Sequence, residues 1–141
     1  MKAAFIYNFT LFTVWPQARA NLNLCVMGDG GYVDALSKYG GRKVLNATIH
    51  VQKINSAEDV RACEVLFLDH TQSPRVDQIR KALKGLPVLT VAELGISDPS
   101  EVMILLALDN NRVYFEINQN VATNAGLSLS YKLLKLARKV N

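Results

Sequence analysis

Few residues of this chain have the type and spacing that chemistry needs. Asp29 and Asp69 each follow an apolar run that reads as a strand, and Thr90 lies near the end of another. Carboxylates gathered at strand ends could hold Mg²⁺ and let one Asp accept a phosphoryl group. The pattern is incomplete, because one Asp follows the first strand and no Lys ends the strand after Thr90. An Asp after a strand more simply starts a turn or caps a helix. Gly28, Asp29, Gly30 and Gly31 fall between a strand and a helix, where nucleotide folds place a phosphate loop. They lack the G-x-G-x-x-G spacing and the P-loop Lys, so a tight turn is the reading, with a small anionic ligand at the helix N-terminus as the alternative. His50 lies within an alternating strand and His70 just after one; neither has a partner at metal-ligand spacing. No G-x-S-x-G elbow and no Cys–His nucleophile pair is present. The residues specify no catalytic group, no cofactor and no metal.

Cys25 and Cys63 leave two readings open. In a cytosolic protein they are buried thiols; in a secreted one they pair. Their separation excludes a CxxC redox motif and a zinc knuckle.

The elements that position these residues follow from composition and pattern. The 141 residues suit one domain with one core, and half of them are apolar, which excludes disorder. The net charge is +4, much of it in Lys132, Lys135, Arg138 and Lys139. Without interleaved aromatics over a broad basic patch this is no strong nucleic-acid footprint, and a solvated helix face is the reading, with an anionic membrane or nucleic acid as the alternative partner. The opening MKAAFIYNFTLFTVWP is apolar nearly all round, so it reads as a buried helix ended by Pro16. It is shorter than the roughly 20 residues a membrane span needs. Lys2 and the Ala18-Arg19-Ala20 triplet imitate a signal peptide, but Asn8, Thr10, Thr13 and Arg19 argue for a core or interface helix, with Phe5, Phe9 and Phe12 facing the core or a second subunit.

Strand and helix signals then alternate. Strands are expected over 22–27, 47–54, 64–69 and 87–91, and helices over 32–39, from Ser56, and from Ser73-Pro74 to about Leu83. Residues 102–108 and 112–117 read as a hairpin with a three-residue turn, Asp109 to Asn111. Asn118 is a plausible N-cap for a short helix closed by Gly126, and Ser128 or Ser130 caps a last helix whose Leu133, Leu134, Leu136, Ala137 and Val140 face inward. The expected fold class is α/β: a three-layer α/β/α sandwich with a mainly parallel sheet and a C-terminal antiparallel hairpin, one domain over 1–141.

Two segments resemble the YfiR-like family of bacterial periplasmic regulators. KAAFIYNFTLFTVWP resembles the family's opening helix ending in Trp-Pro, and RVYFEINQNVATNAGLSLSYKLLKLAR its Phe-Glu-Ile-Asn strand and Ala-Gly-Leu-x-Leu-Ser-x-Lys-Leu-Leu helix. LCVMGD, the strand from Cys63 to Phe67, PVLTV and the Met103-Ile104 pair fit between them in order.

The resemblance implies a non-enzymatic, secreted, periplasmic domain whose signal peptide is not in this chain, and homodimers. It implies binding to, and repression of, the periplasmic part of an inner-membrane diguanylate cyclase, with an outer-membrane lipoprotein as a competing partner. No nucleic-acid partner is implied. Cys25 and Cys63 occupy one family cysteine pair, which implies a disulfide between them; a second family pair is absent, and the segment between Ala92 and Met103 is short. Partner contact is expected at Phe115, Glu116, Asn118, Leu127, Leu129 and Tyr131, each with core packing or capping as its alternative. The competing functional readings are a small-ligand-sensing module, with ligand near Gly28 to Gly31, and a cytosolic receiver-like domain.

Overall fold

The computed structural model describes residues 2–28, 31–96 and 99–141. The chain opens with α1 (Lys2–Leu11) and β1 (Thr13–Val14), then runs through β2 (Asn21–Met27), α2 (Tyr32–Ser37), β3 (Lys43–Val44), β4 (Ala47–Lys53), β5 (Val65–Leu68), α3 (Val76–Leu83) and β6 (Leu89–Glu93). β7 (Ile104–Asp109), β8 (Arg112–Ile117), α4 (Gln119–Asn124), β9 (Ser128–Leu129), α5 (Tyr131–Leu136) and β10 (Lys139–Val140) complete it. Short 3₁₀ turns occupy Ala57–Ala62, His70–Arg75 and Pro99–Glu101.

The main sheet has the order β10-β8-β7-β6-β5-β2-β4-β3. Strands β4, β2, β5, β6 and β7 are parallel neighbours. β3 and β8 add antiparallel pairs, and β10 joins β8 in parallel. From β2 the chain goes to β4 on one side and then to β5 on the other. This reversal puts a topological switch point between the carboxyl ends of β2 and β5.

Alternate residues build two cores, as the period of two along a strand requires. Leu24, Val26, Val65, Phe67 and Val91 face α1 and α2, where Ile6, Phe9 and Leu36 are buried with them. Cys25, Met27, Leu66, Leu68 and Ala92 face the other way, onto Val60, Val76 and Ile79. Covered on both sides, β5 is buried at every position. The mainly parallel α/β/α sandwich expected from the alternating pattern is the observed class.

Several local expectations are corrected. The opening helix ends at Leu11, well before Pro16; Thr13 and Val14 leave it to pair antiparallel with Leu129 and Ser128. Phe9 lies in the protein's own core, edge-on to Phe115 at 4.9 Å, and Phe5 and Phe12 pack against that core. Ser73-Pro74 does not open α3. Asp69 caps a 3₁₀ turn that contains Pro74, and α3 starts only at Val76. The hairpin turn has two residues, not three, because Asp109 pairs with Arg112. Asn110 and Asn111 both take positive φ (50° and 62°), a conformation Asn tolerates and tight hairpins demand. Asn118 precedes α4 but its side chain makes no cap bond. Ser130 rather than Ser128 caps α5, by accepting from Lys132 N. That helix stops at Leu136, which is exposed like Val140, and Lys139–Val140 has become an edge strand.

Candidate functional site

Three regions could carry function. The first is the switch point. Gly28 ends β2 at a φ of 134°, and a Cβ on it would lie 2.1 Å from the Asp69 carboxylate. Only a glycine lets the two strand ends approach this closely. Asp69 Oδ1 accepts from Thr71 N at 3.0 Å and from the Thr71 hydroxyl, so this carboxylate is buried and capping a turn. A phosphoacceptor needs an open oxygen that this arrangement does not offer. Asp29 and Gly30 lie outside the described residues, and Gly31 precedes α2 without a side-chain cap.

Next to Asp69 lies a polar node that local sequence patterns did not reveal. Glu93 ends β6. Its Oε2 accepts from Lys2 Nζ at 3.0 Å and from the Tyr32 hydroxyl at 2.7 Å. Its Oε1 accepts from His70 N at 2.8 Å and meets His70 Nδ1 at 2.9 Å. One carboxylate thus ties the start of α1, the start of α2 and the turn after β5 to the sheet. Burial alone would raise its pKa, but the bonds from His70, Tyr32 and Lys2 together outweigh burial and hold it at about 2. Burial first, and then the bond to Glu93, push the Tyr32 phenol up. A carboxylate this acidic, with both oxygens occupied, is a poor general base near neutrality. The node is a clasp. A charged residue at the end of a parallel strand is the one sequence feature that marks its position.

The clasp has a pH signature. An unfolded Glu carboxyl titrates near 4.5 and the folded one at about 2. A depressed folded pKa stabilises above the unfolded value and is lost as pH falls from about 4.5 towards 2. The full shift corresponds to about 3 kcal/mol. Glu64, whose pKa is raised by burial against the bonds from Asn23 and Arg19, contributes with the opposite sign. Glu93→Gln is therefore expected to lose about 2 kcal/mol at pH 7 and to flatten the acid limb of the stability curve. Thermal melts at pH 7 and pH 3.5 check it; an unchanged acid limb refutes the clasp.

The second region is the expected partner surface. The structure places Phe115 and Leu127 in the core, Phe115 against Phe5 and Phe9 of α1. Glu116, Asn118 and Leu129 are half-buried and Tyr131 is 72% exposed. Asn118 Nδ2 donates to Val102 O at 2.6 Å and its Oδ1 accepts from Asn141 Nδ2 at 3.0 Å, which braces the end of β8. Accessible surface in this set therefore belongs to Glu116, Asn118, Leu129 and Tyr131.

The third region is a half-open groove of about 310 Å³ beside α3, walled by Ile79, Leu83 and Val121, with Met103 in its lining and Arg80, Lys84 and Glu101 among its polar residues. Thr90 also lines it, its hydroxyl accepting from Met103 N. His50 lies apart, beside Asn21. Among the described residues no group of His, Cys, Asp and Glu could hold a metal ion, and no helix is long and apolar enough to cross a membrane. Cys25 and Cys63 form a disulfide, buried on the α3 side of the sheet.

The fold defines a class first: a doubly wound α/β domain. A similar solved structure is an ABC domain in complex with L-Trp from Streptococcus pneumonia, at a TM-score of 0.58 and 8% identity. The alignment covers 85% of this chain and 55% of that one, so the chain spans about half its length. At that identity the likeness is of fold alone. The family is given by sequence: the YfiR/HmsC-like family matches residues 1–138, and the chain belongs to it.

Proposed function

We propose that this protein is a periplasmic, non-enzymatic regulator that binds the periplasmic part of an inner-membrane signalling protein, a diguanylate cyclase, and represses it. The observation that carries this reading is the YfiR/HmsC-like match over residues 1–138. The buried disulfide supports an oxidising compartment. Repression works by differential affinity: the regulator binds the inactive state of the sensor more tightly than the active one. The contact is assigned to Glu116, Asn118, Leu129 and Tyr131. An outer-membrane lipoprotein competes for the regulator, and the regulator acts as a homodimer.

Tyr131→Asp is the informative variant, because Tyr131 is 72% exposed and its loss spares the core. The expected result is at least tenfold weaker capture by the cyclase's purified periplasmic domain, with an unchanged melting temperature. Undiminished capture removes Tyr131 from the contact. Failure of the wild-type protein to bind that domain at all removes the repressor reading.

A second reading, a small-ligand-sensing module, is favoured by the groove beside α3, an apolar cavity with a polar rim. A ligand screen by thermal shift separates it from the first, since a ligand of the native state raises the melting temperature.

A further inference from the structure

The charge of this chain is not evenly spread. Residues 117–141 contain Lys132, Lys135, Arg138 and Lys139 and no Asp or Glu. Residues 1–116 balance twelve cations with twelve anions, so the last segment carries the whole net charge of +4. The structure sets these cations among uncovered apolar side chains. On α5, Leu133 turns into the core, while Tyr131 and Leu136 stand 72% and 70% exposed beside exposed Lys132 and Lys135. Val140 of β10 is also exposed, and Arg138 lies 4.4 Å over the Tyr114 ring. Lys135 Nζ is 5.4 Å from the Tyr131 ring centre. Among the described residues none of the four cations is in an ion pair, although Lys139 stands in register with Glu116. A simple solvated helix face, with Leu136 and Val140 turned in, is not what the fold builds.

We propose that α5 and β10 form a docking surface for an anionic phospholipid bilayer. The ammonium groups of Lys132 and Lys135 meet the headgroup phosphates, and Tyr131 and Leu136 rest at the boundary with the acyl chains. Three features favour lipid over an acidic protein. Lys outnumbers Arg among the four cations, whereas protein interfaces enrich Arg and deplete Lys. The charge in residues 117–141 is of one sign, which suits a uniformly anionic surface. Tyrosine has one wet and one apolar end, the property that places it at membrane interfaces. Each cation near such a surface strengthens binding about fivefold, and the gain fades over a Debye length. With so few groups the attachment is weak and reversible.

Vesicle co-sedimentation tests this with no protein partner present, so its outcome is independent of the repressor reading. The whole chain is mixed with vesicles of phosphatidylglycerol and phosphatidylethanolamine, or of phosphatidylcholine alone. Binding is expected to the anionic vesicles at about 25 mM salt, to be lost at about 500 mM, and to be absent on phosphatidylcholine. Lys132→Glu with Lys135→Glu should weaken it by more than about 25-fold. Tyr131→Ser with Leu136→Ser should weaken it while leaving its salt dependence intact. All four positions are exposed or solvent-facing, and an unchanged melting temperature confirms folding. No binding at low salt, equal binding to phosphatidylcholine, or a charge-reversed variant that binds like wild type overturns the proposal. If vesicles fail while charge reversal abolishes capture of the cyclase domain, the surface belongs to an acidic protein instead.

Discussion

Replacing Cys25 and Cys63 by alanine is expected to cost about 4 kcal/mol. The bond links residues 38 apart in sequence, and the unfolded chain gains that loop's freedom once it is cut. The two sulfurs join the middle of β2 to the residue that closes the 3₁₀ turn before β5. They therefore fasten the crossover between two central strands. For a domain of 141 residues the loss corresponds to a fall of roughly 10–20 °C in melting temperature. Differential scanning calorimetry of the oxidised wild type and the double variant measures it. A fall of less than about 3 °C means that the crossover holds itself and that the chain-entropy account fails here.

Burial adds a kinetic consequence. Cys25 is 0% and Cys63 3% exposed, so a reductant reaches the bond only when the domain opens. Reduction by dithiothreitol under native conditions should then be far slower than in denatured protein and reach the unfolding rate as its limit at high reductant concentration. A free-thiol titration of unreduced, denatured protein should find none, because no free cysteine exists in the structure. A redox switch that works in the folded state has no accessible bond to act on in this chain.

The second large effect is Phe9→Ala, expected to cost about 3–5 kcal/mol. Phe9 is 1% exposed and packs edge-on against Phe5 at 6.4 Å and Phe115 at 4.9 Å. Truncation removes its transfer energy, leaves a cavity and breaks both ring contacts. Urea denaturation is the measurement, with Leu136→Ala on the exposed side of α5 as the contrast, expected within about 0.5 kcal/mol of wild type. The comparison decides what the apolar opening helix is for. If Phe9→Ala instead leaves stability unchanged and shifts the protein from dimer to monomer in sedimentation, the helix serves an interface and the core assignment is wrong.

Much of the fold was legible because local pattern and burial coincide. The run VLFL at 65–68 is uniformly apolar, and only a strand covered on both faces satisfies that. Ser56 and Ser130 announced helix starts, and each accepts a cap bond two residues on, from Glu58 N and Lys132 N. The Asn pair at 110–111 announced a turn, although its length followed from the register between Asp109 and Arg112. Where pattern was misleading, a distant partner had taken over. Thr13 and Val14 look like the tail of a helix, but Ser128 and Leu129 offer a backbone to pair with. Lys139 and Val140 continue a helical pattern and are instead a strand beside Glu116 and Ile117. Asn118 has the side chain of a cap, and spends it on Val102 and Asn141.

The sites divide in the same way. The ordered motifs along the chain pointed to its family, and that resemblance implied the pairing of Cys25 with Cys63, which the structure shows. The Glu93 clasp was not legible, since Lys2 and Tyr32 are 91 and 61 residues away from Glu93 and no local period links them. Nor could the sequence separate core from surface in its C-terminal third. Phe115 and Leu127 look as available for binding as Leu129 and Tyr131 until the fold buries the first two in the core. By itself the sequence determined the longer strands, the layers and the family, because alternation, capping and motif order are local. Only the tertiary structure decided which apolar side chains are left for partners and which carboxylate is already engaged, because burial and charge pairing depend on segments the chain brings together from far apart.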